Sequence, residues 1–410
     1  MMSNLPNSVE KRMQERIKRE IFEEYKEEVN YLKTNYGFTK EFEYFLDILS
    51  LSAYPQRLKE RFDRPLVGTY CITIPVELLD ALGFHPIRLC CGSLAIQKFS
   101  SSFIPVLTCP IIKSGISSFY LEYSLEELCD MIITPTSCDW RVKLPEIVAN
   151  KDERFYIMEL PHTKETERGQ KRWLEEIYEL KRYLERRTNK RFDKKKLLNS
   201  IHKYMLAWEA FEKLLEMRRK GLISGTVSII LANTFMLDDA GSWTKKINEF
   251  FSAYNNLRCD EKPRVLLVGS PLFFPHLKIS ELIEEAGMFI AADDLCTSER
   301  LFGSVVYNDI SEYGLLRAIA ERYQLSCVCP TFIENEHRAK NILEIMQEHD
   351  IKGVVYHVFK GCHPFDIESF NYEKAIKEKG FRFIKIETDY SKEDRENILT
   401  RLEAFKETLY

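Results

Sequence analysis

The sequence predicts an α/β protein of two Rossmann-like parallel-sheet units, with a helical N-terminal segment and a helical insertion between the units. Three observations predict it. Apolar runs of strand length alternate with helix-period segments over 65–161 and again over 265–389, the pattern of a parallel sheet covered on both faces. From about 163 to 258 only helical periodicity is present. The first 60 residues place apolar side chains every three or four positions among charges. The chain then divides into an N-terminal helical segment (1–62), a first α/β unit (63–162), a helical region with linker (163–262) and a second α/β unit (263–410).

Taken in order, Val9, Met13, Ile17, Ile21, Tyr25, Val29 and Leu32 form one apolar helix face, and Asn7 with Glu10 resembles a capping pair. PLVGTYC (65–71) reads as a strand. Pro75 opens the helix VELLDALG, closed by Gly83. PIRLC (86–90), DMIITP (130–135) and RFYIMELP (154–161) are the next strands. Trp173, Ile177, Leu180 and Leu184 mark a long helix, TVSIILANTFML a buried one, and 255–264 a linker. In the second unit, strands are predicted at 265–272, 288–294, 353–359 and 381–389. Helices alternate with them at 277–287, 315–323, 337–349, 366–380 and 393–409.

Composition narrows the function. The 410 residues carry 59 Lys+Arg against 63 Asp+Glu, a formal net charge of −4, so no electrostatic argument favours nucleic acid. The longest near-apolar run, 226–237, is far short of the roughly 20 residues a spanning helix needs. The opening MMSNLPNSVEKRMQERIKRE has no apolar signal core, so a cytoplasmic protein with no membrane partner is expected. There is no P-loop, no G-x-G-x-x-G after a strand, no H-E-x-x-H and no G-x-S-x-G.

Eleven cysteines remain to be explained, without a C-x-x-C pair among them. In a reducing compartment they are not disulfides. They are either small buried hydrophobes or ligands of a thiophilic centre. Several fall where open α/β sheets bind ligands, beyond the carboxyl ends of strands. Cys138 follows the strand at 130–135, Cys296 that at 288–294, and Cys362 that at 353–359, about four residues before a helix. Cys327 and Cys329 precede the helix at 337–349, and Cys109 precedes Lys113. Nearby helix N-termini would stabilise an anionic cluster at such places.

The pieces PLVGTYC…P-x-E (Pro65 to Glu77), LTCPIIKS (107–114), TSCDWRVK (136–143), ELP (159–161), ADDLCTSERLF (292–302), CP before an HR helix (329–338) and IETDYS…TRLEAFKE (386–407) occur in that order. Through them the chain resembles the 2-hydroxyacyl-CoA dehydratase/benzoyl-CoA reductase family over nearly all of 60–410. KGCHPFDIES and IETDYS are most similar to its double-cubane-cluster reductase branch. The resemblance implies a 4Fe–4S cluster on Cys109, Cys138 and Cys362. If a double cubane (8Fe–9S) is present, it implies further ligands among Cys327, Cys329, Cys296 and Cys71. It also implies low-potential reduction driven by a separate ATP-dependent iron–sulfur activator, and a homodimer or a heterodimer with a sister subunit. The substrate would be an acyl-CoA or a small unsaturated molecule. The alternatives are a subunit of a heterodimeric dehydratase that eliminates water from a 2-hydroxyacyl-CoA, and a scaffold that binds no cluster. The chain departs from the family at Trp140, Met205 and Glu396-Asn397-Ile398.

Smaller expectations follow from single residues. Cys90, Cys91, Cys129 and Cys259 are expected to pack or sit in the linker without binding iron. Asp293 and Asp294 suit a strand-end turn better than a cation site. Lys113 either touches a phosphate or cluster or is an exposed charge. Glu387 and Asp389 either contact a partner or end a strand, and Arg401 is a candidate to pair with one of them.

Overall fold

Eight short runs become eight strands, the central ones buried on both faces and the edge strands Phe155–Met158 and Arg382–Thr388 only partly so. In the computed structural model, which describes residues 7–36, 40–100, 104–122, 124–148, 153–253, 262–334 and 336–410, these strands form two four-stranded sheets. The first holds β1 (Leu66–Thr69), β2 (His85–Arg88), β3 (Met131–Pro135) and β4 (Phe155–Met158), ordered β2-β1-β3-β4. The second holds β5 (Arg264–Gly269), β6 (Phe289–Asp294), β7 (Gly353–Phe359) and β8 (Arg382–Thr388), ordered β6-β5-β7-β8. Every pairing is parallel, and the two orders are the same order. The two α/β units are therefore topological repeats, each with a switch of direction at its first strand. There the loops to either side part and leave a crevice.

Helices cover both sheets, and the cores borrow across the chain. Trp173, Ile177, Leu180 and Leu184 of helix Glu167–Thr188 pack with Val67, Met131 and Ile133 of the first sheet. Helix Glu312–Gln324, which comes from the second unit, adds Leu315, Leu316 and Ile319 to that same core. Ile17, Ile21, Tyr25 and Val29 of helix Asn7–Tyr36 pack instead with the second unit, in a core that includes Val265, Leu267 and Ile283. Helix Gly225–Phe235 is buried along almost its whole length, as its apolar run predicts. The suggested Asn7–Glu10 cap and Cys259 lie outside what the structure describes, as does most of the 255–264 linker.

Four helices the periodicity missed lie in the first unit: Leu94–Phe99, Pro110–Ser118, the single turn Leu125–Leu128, and Asp139–Val148. All are short, and Pro110–Ser118 and Asp139–Val148 begin beside cysteines. Among the described residues no helix is long and apolar enough to cross a membrane.

Candidate functional site

Three of the predicted cysteines stand at helix N-termini. Cys109 is the N-cap of Pro110–Ser118, Cys138 directly precedes Asp139–Val148, and Cys362 is the N-cap of His363–Glu378. Cys362 is thus at the helix start, not four residues before it, because His363 and Pro364 already lie in the first turn. The backbone of the turn each precedes lowers its thiol pKa, Ile111 and Ile112 at Cys109, Arg141 at Cys138 and Phe365 at Cys362, although neither N-cap sulfur closes a capping hydrogen bond. Unpaired N–H groups and the positive end of each helix therefore face sulfur, an arrangement that favours thiolate or an anionic cluster.

The three come together from both units. Cys109 and Cys362 share a side-chain hydrogen bond, which is the largest effect holding Cys109 below the usual thiol range and raising Cys362 above it. Cys138 lies in the electrostatic neighbourhood of Cys109 and Cys71, and burial pushes its thiol up. Gly361 makes the approach possible. It has φ +80°, and a Cβ there would fall 1.9 Å from the carbonyl oxygen of Leu107. A glycine at this turn lets the Cys362 loop lie directly on the Cys109 loop.

A second sulfur group adjoins the first through Cys71. Cys296, Cys327 and Cys329 each have Cys71 among their charged neighbours. Burial raises all three thiols, Cys327 to about 12. Arg300 is close to all three, and its guanidinium is held by Asp294 at 3.2 Å and by the Val328 carbonyl at 2.7 Å. The six predicted cysteines thus fall in two adjoining electrostatic neighbourhoods drawn from both units, with Cys71 as the link. Among the described residues no three ligating groups close on a single ion. A cubane is different, because it spreads its cysteine sulfurs over roughly 6–7 Å. The donor set is all thiol, is drawn from both units and faces helix N-termini, and so fits an iron–sulfur cluster better than a single ion.

The cleft also holds a cation the sequence did not single out. Arg141 is buried, donates from Nη2 to Cys90 Sγ at 3.1 Å, and lies over the Tyr70 ring at 4.6 Å. It has no carboxylate partner among the described residues. Its charged neighbours are Cys90 and Cys138, with Tyr70. A buried guanidinium needs a counter-charge, and the groups able to supply it here are thiolates. Cys90 is therefore not the plain packing residue expected, whereas Cys129 is buried and Cys91 half-buried, both with their thiols raised. Tyr70 in turn donates to Glu126 at 3.0 Å, and burial lifts that carboxyl to about 7. Beside Cys138 a wide groove of about 830 Å³ opens past Asp139, His162, Ile333, His363 and Ile367.

Other candidates have structural roles. Lys113 is neither exposed nor free: it is buried and donates to the Val106 carbonyl at 2.6 Å. Asp293 binds Arg218 at 2.7 Å and Ser298 at 2.7 Å, and Asp294 binds Arg338 at 2.6 Å, so both acids are held at a strand end. Asp389 accepts from Lys360 at 3.1 Å. Arg401 pairs with neither acid but donates to the Lys385 carbonyl at 2.8 Å, because Lys385 stands in β8 beside its helix.

Comparison with known proteins decides the family. The model of the 2-hydroxyglutaryl-CoA dehydratase D-component family matches residues 71–409. The chain belongs to that family. The cysteines and the other seven strands described above lie within the matched residues, and β1 lies just before them. The chain is similar to YjiM of Escherichia coli (strain K12), provisionally named a dehydratase subunit, with 26% identity over 86% of this chain and 93% of that one. It is 23% identical to the beta subunit of (R)-2-hydroxyglutaryl-CoA dehydratase from Acidaminococcus fermentans, over 88% and 97% of the two chains. It is 22% identical to the (R)-phenyllactyl-CoA dehydratase beta subunit of Clostridium sporogenes, over 90% and 99%. The expectation of an enzyme holds at this level: the chain is a component of the 2-hydroxyacyl-CoA dehydratase family.

Proposed function

We propose that this protein is the iron–sulfur catalytic component of a low-potential reduction, of the double-cubane reductase type. The observation that carries the proposal is the meeting of two thiol groups, Cys109/Cys138/Cys362 and Cys71/Cys296/Cys327/Cys329, in one cleft between the units. Cys109, Cys138 and Cys362 would hold one cluster, and the second group offers ligands for another beside it. When bound, such a cluster supplies single electrons at low potential. The chain's own residues do the rest. Three helix N-termini and Arg141 favour the anionic sulfur state, burial keeps water out, and the groove beside Cys138 and His363 gives access. An ATP-dependent iron–sulfur activator would deliver the electron, consistent with the lack of a P-loop in this chain.

A second reading is favoured by the relatives' names. Two of them are beta subunits of acyl-CoA dehydratases, so this chain would pair with a sister subunit and eliminate water from a 2-hydroxyacyl-CoA. Iron and sulfide analysis after anaerobic purification separates the readings, because iron scales with cluster nuclearity. About eight irons per chain supports the double cubane, and about four the dehydratase subunit. A colourless, iron-free protein would leave only the scaffold.

A further inference from the structure

A second cavity lies between the units, beside the thiol cleft, with about 60 Å³ of room. Its wall brings together Arg88 at the end of β2 and Arg322 from helix Glu312–Gln324. Both arginines are more than nine-tenths buried, at 7% and 9% exposure, and in each the Nε has no hydrogen-bond partner. The Arg88 guanidinium meets no acceptor and no carboxylate among the described residues, and Arg322 donates only from Nη2 to the Leu301 carbonyl, at 3.3 Å. The two acids on the same wall are committed elsewhere. Glu77 accepts from the Tyr323 hydroxyl at 2.7 Å, and burial pushes its carboxyl up towards the neutral form, an effect that the nearby Arg322 opposes without a direct ion pair. Asp238 accepts from Tyr44 at 2.6 Å and pairs with Arg61 at 3.4 Å.

Two buried cations facing one space repel each other, and water can solvate them but cannot balance their charge. A carboxylate does both, since its two oxygens match the guanidinium fork. The remaining wall, Trp208, Phe235 and Phe302, is apolar and suits a short hydrocarbon stem. Gly303 keeps the site open on one side: a Cβ there would fall 2.6 Å from Cζ of Arg322. We propose that this cavity is a binding site for a small carboxylate, held between the guanidiniums of Arg88 and Arg322. Cys296 has Arg88 among its charged neighbours and Cys327 has Arg322, so a molecule anchored here lies against the thiol cleft.

The test uses the full chain, iron-free and iron-reconstituted, titrated with sodium propionate by calorimetry and by thermal melts. Sodium chloride and inorganic phosphate at equal ionic strength are the controls. Saturable binding of propionate, with a rise in Tm that chloride and phosphate do not match, is expected in both forms. Arg88→Met and Arg322→Met should each weaken it at least tenfold, and the exposed-site control Arg317→Met should not. If either Met variant fails to fold, Gly303→Ala, which displaces the Arg322 guanidinium without deleting it, should weaken propionate by several-fold. Absence of saturable binding in the iron-free wild type overturns the proposal, as does binding of phosphate in preference to propionate or unchanged affinity in the folded variants. Because iron-free protein is measured, such a failure leaves the iron–sulfur reading standing.

Discussion

The two α/β units repeat one strand order, yet they treat buried charge in opposite ways. At the second sheet three interior arginines are matched, Arg218 of the helical region to Asp293 and Glu299, Arg338 to Asp294 and Glu368, and Arg300 to Asp294, whereas Arg322, which packs towards the first sheet, is not. In the first unit Arg88 and Arg141 are buried with no carboxylate among the described residues. Matched pairs hold a scaffold, because breaking one strands a buried charge at a cost of about 3–5 kcal/mol. Unmatched cations are stable only beside an anion that the side-chain carboxylates do not provide. The second sheet is therefore the better-matched frame, and the unmatched cations, Arg88 and Arg141 of the first unit with Arg322 of the second, gather around the first sheet.

The cysteines obey the same repeat. Cys138 is the third residue past β3, and Cys362 the third past β7. Cys90 is the second past β2, and Cys296 the second past β6. Cys109 lies in the crossover from β2 to β3, Cys327 and Cys329 in that from β6 to β7. Each thiol group nevertheless mixes units: Cys362 joins two cysteines of the first, and Cys71 joins three of the second. The sharpest way to break the comparison is to delete one member across the divide. Cys362→Ser and Cys138→Ser should each remove or convert most of the bound iron and alter the EPR spectrum, as thiolate ligation requires. Cys129→Ser should leave iron content unchanged, since that thiol only donates to the Leu125 carbonyl within its own turn. Full iron and an unaltered spectrum in Cys362→Ser would overturn the role assigned to the first group.

Close apposition of the two units should also be breakable without touching a sulfur. Gly361→Ala places a Cβ against the Leu107 carbonyl at a left-handed φ, so the Cys362 loop must withdraw from Cys109. A loss of about 2–4 kcal/mol in denaturant unfolding is expected, with weaker iron retention. Gly380→Ala shares the positive φ of +83° but opens onto free space, and should cost only about 1 kcal/mol. Equal losses at the two glycines would mean that the interunit contact carries no strain.

All eight strands were legible because each is a run of strand length bounded by breakers, and the loops after them pointed to Cys138, Cys296 and Cys362. The short helices at Leu94–Phe99, Pro110–Ser118 and Asp139–Val148 were not, since one to three turns carry too few periodic positions to register. Missing them hid the fact that Cys109 and Cys138 head helices as Cys362 does. Arg141 and Arg88 were also invisible. A charged residue near a motif reads as solvated surface, and only the folded chain reveals that its partner is missing. The exchange of helices between cores had no sequence signal, because amphipathic faces do not name the face they meet.

Acid–base behaviour sharpens the contrast in charge matching. Burial raises Glu126 from 4.5 to about 7, and no arginine neutralises it. A carboxyl whose folded pKa is raised binds its proton more tightly in the folded state. Its contribution is therefore intact below about pH 4.5 and is lost as pH rises through about 7. The shift corresponds to about 3 kcal/mol. Glu126→Gln keeps an acceptor for the Tyr70 hydroxyl and should flatten that part of the stability profile, measured by urea unfolding from pH 5 to 8. A profile with the wild-type slope would show that Glu126 is not the group responsible.

The smallest effect is expected at Arg401. An arginine that clamped Glu387 or Asp389 across its fork would not be replaceable by lysine, which offers one ammonium instead of two parallel donors. The structure gives Arg401 a single exposed bond to the Lys385 carbonyl, and it gives Asp389 to Lys360. Lysine can make that one bond, and solvent screens what remains. Arg401→Lys should therefore shift stability by less than about 0.5 kcal/mol and leave iron content unchanged. A loss of more than about 1.5 kcal/mol would show that the β8 carbonyl needs the guanidinium, and that the second unit's exposed edge is held by geometry as demanding as its buried Arg–Asp pairs.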